Sequence, residues 1–237
     1  MADRLKRHVD LSVGEISFLE SLVARPSRFV RGQIIQAAGE PAQQAFVLID
    51  GWAMTFTDYA DGSRQIRRVH FPGDLLAMPS MAMARHVENI EAITDVVVAP
   101  FQRGLLAKVF REHPRLAAIQ FMYAQEERIT YGDRLSAIGR LCAKARIAFL
   151  LMDVLTRLRA ADSSIGCAFE MHLTREQMSE VTGMTPVHAS RMWSELISEG
   201  AVSCDKRIVT IHDEPRLVAL SGFANRATEL DFSWLPS

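Results

Sequence analysis

The sequence predicts an α+β chain made of an amino-terminal β-roll of jelly-roll type, a long helix and a carboxy-terminal winged helix-turn-helix. Three observations carry that expectation. Short β-rich runs broken by turn signals fill the first hundred residues, and the stretch from Pro114 to Ala160 holds no further proline. Residues Leu173 to Leu196 then read as two short helices joined at a glycine.

In the first part, Phe29 to Gln36, Ala45 to Asp50, Trp52 to Asp58, Gln65 to Phe71 and Val87 to Phe101 are β-rich or alternating. Turn signals separate them at Gly32, Gly39-Glu40-Pro41, Asp50-Gly51, Asp61-Gly62 and Pro72-Gly73-Asp74. Asp61-Gly62 is the strongest hairpin signal, because both residues tolerate the positive φ that a tight reversal needs. Several short strands at this spacing predict a sandwich or barrel.

From Pro114 onward the only glycines before Ala160 are Gly132 and Gly139, which predicts two helices meeting near Gly139 to Cys142. Leu116, Ile119, Met122, Tyr123 and Ile129 recur at three- and four-residue spacing. That stripe suits a seam with a partner helix and suits packing inside a monomer equally well.

The run LTREQMSEVTGMTPVHASRMWSEL has the punctuation of a helix-turn-helix. Thr174 caps the first helix, which buries Met178 and Val181 and keeps Ser179 small where a second helix crosses. Gly183 supplies a left-handed turn with Met184 as the apolar plug beneath it. Thr185 caps the second helix and Pro186 opens it, since the first helical position needs no backbone donor. At the helical period Ala189, Met192, Trp193, Leu196 and Ile197 form the packing stripe, while Val187, Arg191, Ser194 and Ser198 face outward. Small side chains around one arginine can enter a major groove, where arginine reads the two acceptors of guanine. The spacing also occurs in ordinary helical hairpins. The segment after Gly200 favours DNA binding: Ala201 to Ser203 and Ile208 to Ile211 are β-rich runs around a polar tip at Cys204 to Arg207, a wing directly after the second helix.

Charge offers no bulk attraction to nucleic acid. The chain sums to −1, and Leu141 to Gly222 holds nine Lys/Arg against ten Asp/Glu. Affinity must therefore come from local placement, with Arg175, Arg191, Lys206 and Arg207 forming the DNA-facing edge and Glu176, Glu180 and Glu195 pointing elsewhere.

At 237 residues and 49% hydrophobic, the chain can bury a large core and divides into more than one domain. No apolar run reaches membrane-spanning length and MADRLKRHVD lacks a secretory segment, so a cytoplasmic protein without membrane contact is expected. The three cysteines, Cys142, Cys167 and Cys204, are too few and too scattered for a disulfide framework or a four-thiolate cluster, and read as reduced structural thiols. A metal-dependent β-roll enzyme of the cupin kind needs converging histidines and a carboxylate. The seven histidines form no His-x-His pair, and no nucleophile elbow, phosphate loop or zinc-peptidase motif is present, so no enzyme is expected.

The order of parts, with RGQIIQAAGE, AFVLIDG and FPGD in the roll, a long helix, GRLCAKARIAFLL and the winged segment, resembles the Crp/Fnr superfamily of bacterial transcription regulators. The resemblance implies a cyclic-nucleotide-binding-like sensor domain at 1–113 and a dimerisation helix at 114–140. A DNA-binding domain at 141–222 and an extra tail at 223–237 complete the chain. It further implies a homodimer on a palindromic site in double-stranded DNA, with RNA polymerase as a partner if the protein activates. Where oxygen-responsive members carry Glu-x-x-Ser-Arg, this chain has Val187-His188-Ala189-Ser190-Arg191. Arg191 is the guanine reader, with Ser190 beside it, and Val187 replaces a carboxylate with a side chain suited to a thymine methyl. Thr174, Arg175, Thr185 and Lys206 match positions that hold the DNA backbone in relatives, and His188 lies on the same helix without an assigned role.

The sensor signatures are missing. Cyclic-AMP-binding members place Gly-Glu after the Pro-Gly-Asp turn and Arg-Ser before the next strand; here those places hold Ala77-Met78 and His86-Val87, and the adenine-contacting pair on the long helix becomes Tyr131-Gly132. Cyclic AMP is therefore not expected to bind. An effector pocket, if there is one, would use Met78, His86, Val87 and Tyr131. In place of the phosphate cassette stands LLAMPSMAMA, with three methionines in six residues. It reads as a methionine plug with no cofactor; a hydrophobic ligand, or a haem on His70 or His86, is the alternative. Residues 1 to 141 contain no cysteine, which excludes the amino-terminal iron–sulfur ligands of the oxygen-responsive branch. Oxidation of Cys204 at the wing is a further, weaker route to control. The tail, with Phe232, Trp234 and Leu235, is expected to fold back rather than expose its aromatics.

Overall fold

The computed structural model describes Leu5 and residues 8–235, so the amino-terminal run MADRLKRHVD and the carboxy-terminal tail lie partly outside the described residues. The chain divides into two compact units, residues 1–125 with 230–237, and residues 126–229.

The first unit begins with α1 (Val13–Leu22). Its start is fixed by a reciprocal cap: the Glu15 amide donates to Ser12 Oγ at 3.2 Å while Glu15 Oε2 accepts from the Ser12 amide at 2.7 Å. The roll follows as β1 (Ser27–Phe29), β2 (Ile34–Gln36), β3 (Gln44–Asp50), β4 (Ala53–Asp58), β5 (Arg64–His70), β6 (Leu75–Leu76), β7 (Asn89–Ala92) and β8 (Val96–Gln102). They form two four-stranded sheets, ordered β1-β8-β3-β6 and β2-β7-β4-β5, with antiparallel pairing throughout. Phe46, Val47, Leu48, Ala53, Leu76, Ile90 and Val98 fill the core between them.

Two of the β-rich runs hold two strands each. Phe29 to Gln36 divides into β1 and β2 around Gly32, whose φ of 80° turns the chain. Val87 to Phe101 becomes β7 and β8, because the loop between them approaches Gly51 so closely that a Cβ there would lie 2.2 Å from the Asp95 carbonyl. The reversal at Asp61-Gly62 does join β4 to β5, with Gly62 at φ 81°.

Two short helices carry no clear signal in the sequence, α1 and α2 (Gly104–Glu112), the second of which packs Leu105 and Leu106 against the roll. Then α3 (Pro114–Arg140) runs through the boundary between the units. Its Leu116, Ile119 and Tyr123 are buried with Leu5, Phe18, Leu19 and Phe232 in a second core of the first unit. With Met122 packed against the same core, four of the five residues of the stripe are internal packing, while Ile129 is exposed. Phe232 of the tail folds back into this core, 5.7 Å from the Tyr123 ring, whereas Trp234 is exposed.

The second unit is organised around α4 (Ala143–Ala161), which starts after the break at Leu141 and Cys142. The helix is apolar nearly all round, from Ile147 to Leu155, because α5 (Arg175–Thr182), α6 (Pro186–Ser198) and α7 (Glu214–Ser221) all pack on it. A three-stranded sheet, β9 (Ala168–Glu170), β10 (Val202–Asp205) and β11 (Ile208–Ile211), has the order β10-β11-β9. Cys142 and Cys167 are exposed thiols rather than the packed residues expected.

Candidate nucleic-acid interface

Both helices of the helix-turn-helix begin on threonine caps. Thr174 Oγ1 accepts the Gln177 amide at 3.1 Å, and Gln177 Oε1 accepts the Thr174 amide at 2.9 Å. Thr185 Oγ1 accepts the His188 amide at 3.3 Å, with Pro186 at the first position of α6. Between them Gly183 adopts φ 64° and ψ 43°, and its amide bonds to the Ser179 carbonyl. In α5, Met178 and Ser179 are buried as expected. Val181 is only half-buried; Thr182 takes the deep position instead, satisfying its hydroxyl on the Met178 carbonyl at 2.7 Å.

On α6 the packing stripe is Ala189, Met192, Trp193 and Leu196. Ile197, expected on it, is exposed, since it lies about 100° round the helix from Leu196 and falls at the edge of the surface facing α4 and α5. The opposite face presents Val187, His188, Ser190, Arg191, Ser194 and Ser198, all exposed, with Val187 at 81%. The Arg191 side chain is 70% exposed and its Nε lies 3.8 Å from Glu195 Oε1.

Glu195 therefore accompanies Arg191 rather than pointing away from it. Further along, Glu199 is held by Lys144 at 2.6 Å and Arg216 at 2.5 Å, and the hydrogen bond from Lys144 keeps its carboxyl below the ordinary glutamate range. The acids at the carboxy-terminal end of α6 are thus engaged by cations of the same unit.

The wing is a hairpin with Val202 opposite Ile211 and Asp205 opposite Ile208. Its tip is Lys206-Arg207, shorter than the expected Cys204 to Arg207, and Lys206 takes φ 54°. Sequence reading missed β9, whose three residues are too few to register as a strand beside the long loop before them.

Thr174, Arg175, Lys206 and Arg207 line one pocket of about 180 Å³ together with Met171, His172, Leu173, Trp193, Cys204 and Val209. Arg175 is exposed, with part of its guanidinium engaged. Its guanidinium carbon sits 3.8 Å from the centre of the Trp193 ring, and Nη1 is 3.3 Å from Met178 Sδ. Burial lowers the Arg175 pKa, opposed by the neighbouring Cys204 thiol.

In the first unit, Met78 is half-buried, Val87 exposed and His86 buried with Nε2 lacking a hydrogen-bond partner. Main-chain bonds of 2.8 Å to Gly39 and Glu40 clamp His86 in place, and burial lowers its pKa. Arg85 turns to the Gly39 carbonyl at 2.7 Å. Tyr131 belongs to the second unit. His70, the other histidine considered for haem, has Nε2 2.7 Å from Thr55 Oγ1, both residues being buried. Among the described residues no cluster of three potential metal ligands occurs, and no helix is long and apolar enough to cross a membrane.

Residues 26–113 match the cyclic nucleotide-binding domain family and residues 145–220 the Crp-like helix-turn-helix domain family. The transcriptional regulatory protein btr of Bordetella pertussis is 26% identical over 220 residues, covering 91% of this chain and 90% of that protein. The transcriptional activator protein anr of Pseudomonas aeruginosa is 25% identical over 217 residues, covering 90% and 87%. The structure of FixK2 from Bradyrhizobium japonicum superposes with a TM-score of 0.76 at 25% identity, covering 86% of this chain and all of that one. With a roll and a winged helix-turn-helix of these two families in this order, the chain belongs to the Crp/Fnr superfamily of bacterial transcription regulators.

Proposed function

We propose that the protein regulates transcription as a homodimer that places α6 of each copy in successive major grooves of a palindromic operator. The exposed face of α6 carries this reading: one long cation, Arg191, stands among small side chains on a helix whose other face packs through Ala189, Met192, Trp193 and Leu196. Arg191 reads guanine, with Ser190 and His188 beside it, and Val187 meets a thymine methyl. Thr174, Thr185 and Lys206 fix the register on the phosphates, two of them as caps whose helix amino termini favour anions. The role is that of a regulator and not an enzyme, with RNA polymerase as the partner if it activates.

Dimerisation through α3 is supported by the face left open. Phe121, Ala124, Arg128, Gly132, Leu135 and Gly139 are exposed at steps of three and four, and Leu135 is 73% exposed.

The roll is proposed to work without cyclic AMP and without a resident haem. Where relatives offer a charged fork to the phosphate, this chain has a buried imidazole kept neutral by burial, and the nearby Arg85 is turned to a backbone carbonyl.

Selection of bound duplexes from a random pool tests the proposal. The expected product is a palindrome with guanine in each half and half-site centres about one helical turn apart. Recovery of asymmetric or unrelated sequences would refute it.

A further inference from the structure

We infer that Glu195 is a positioning residue for Arg191, restraining the guanidinium so that it meets a base edge in preference to a phosphate. The inference rests on reading α6 as the recognition helix and adds what aims the one long cation on its exposed face.

Glu195 is the single acidic residue within α6, four places after Arg191, so the two side chains share a face of the helix. Its two oxygens serve two different cations. Oε1 lies 3.8 Å from Arg191 Nε, and Oε2 lies 3.9 Å from Nζ of Lys144 in the first turn of α4. Lys144 is bonded in turn to Glu199 at 2.6 Å, and Glu199 to Arg216 of α7 at 2.5 Å. Arg216 also donates to the Glu199 main-chain carbonyl at 3.2 Å. Five alternating charges thus run from α7, past the end of α6 and the start of α4, to Arg191. The anchored end is sheltered and the other is open: the Lys144 side chain is 26% exposed and that of Arg191 70%.

The atom that meets the carboxylate sets the consequence. Nε is the inner nitrogen of the guanidinium, and both terminal Nη groups are left without a hydrogen bond among the described residues. Those two groups form the fork that fits N7 and O6 of guanine. A phosphate approaching the same guanidinium meets the Glu195 carboxylate, and the two like charges repel. An arginine with no acid beside it has no such bias. Glu195 therefore also lowers the attraction of α6 to DNA of any sequence.

Fluorescence anisotropy at one fixed salt concentration would compare the wild type with E195Q and E195D on three duplexes. They are the selected operator, the operator with the guanine of each half-site replaced, and the operator with another selected base pair of each half-site replaced. An exposed pair at this spacing is worth about a factor of two, so E195Q should lower discrimination at the guanine about three- to fivefold over both half-sites. Discrimination at the other base pair should stay at the wild-type level. E195Q should also bind all three duplexes more tightly than the wild type relative to that loss, because a negative charge is gone, whereas E195D, one methylene shorter and still charged, should lose discrimination without the gain. Thermal unfolding of each variant identifies any that fails to fold; if E195Q is one, E195D carries the comparison. Wild-type discrimination at the guanine in both variants would overturn the inference. A loss spread equally over both base pairs would overturn it as well, since it would mark Glu195 as shaping the helix and not Arg191. A wild type that prefers no palindrome would overturn the DNA-binding reading together with it.

Discussion

Asp153, in the middle of α4, receives the guanidinium of Arg134 from α3, and both side chains are largely withdrawn from water. Removing one partner leaves a buried charge without compensation, which costs about 3–5 kcal/mol. Asp153→Ala should therefore destabilise the second unit by about 3 kcal/mol in urea unfolding. The double change Asp153→Leu with Arg134→Met should recover most of the loss, because two apolar side chains replace the pair. A double variant as unstable as Asp153→Ala would show that the pair's worth lies in polar contacts beyond the two charges.

Two backbone sites should respond with opposite sign. Ala77 is held at φ 64° in the segment where cyclic-nucleotide binders carry glycine, and Gly183 occupies the same region at the turn before α6. A left-handed L-residue costs about 1–2 kcal/mol, so Ala77→Gly should stabilise the roll by up to about 1 kcal/mol. Gly183→Ala should destabilise the second unit by about 1 kcal/mol through φ alone, because the added Cβ would meet Ile138 Cγ2 at 3.4 Å, an ordinary contact. Changes of the same sign in both variants would rule out φ as the cause.

His86 makes the roll sensitive to acid. Burial lowers its folded-state pKa below 6.5, with Glu40 the opposing charge. As pH falls through 6.5 the unfolded chain binds a proton here that the folded chain refuses, so stability is lost below that pH. Urea midpoints of the wild type should therefore fall more steeply than those of His86→Gln once the pH passes below 6.5. Parallel profiles would show that His86 takes no part.

The open face of α3 should govern association. Leu135→Glu, at a side chain 73% exposed, should convert dimer to monomer in sedimentation equilibrium without lowering the thermal stability of the chain. Retained dimers would place the dimer contact on another surface.

Punctuation was legible where it is local. Thr174, Gly183, Thr185 and Pro186 cap and turn as their chemistry requires, because each acts on backbone within three or four residues. The stripe on α3 left two readings open, and the structure decides between them: Leu116, Ile119 and Tyr123 are claimed by Phe18 of α1 and Phe232 of the tail, partners more than ninety residues away in either direction. Spacing reveals that a face is apolar and not what covers it. The stack of Arg175 on Trp193 was not legible either, because it joins residues eighteen apart on two different helices. Val187, Arg191, Ser194 and Ser198 were readable because an exposed helix face depends on the 3.6-residue period alone.

Whether Arg191 discriminates among DNA sequences is decided by one comparison. Binding of wild type and Arg191→Ala should be measured by anisotropy, at one fixed salt concentration, on the selected operator and on the same duplex with the guanine of each half-site replaced. The wild type should prefer the operator by about 1–3 kcal/mol per half-site, and Arg191→Ala should bind both duplexes alike. A variant that keeps the wild-type preference would show that Arg191 is not the reader.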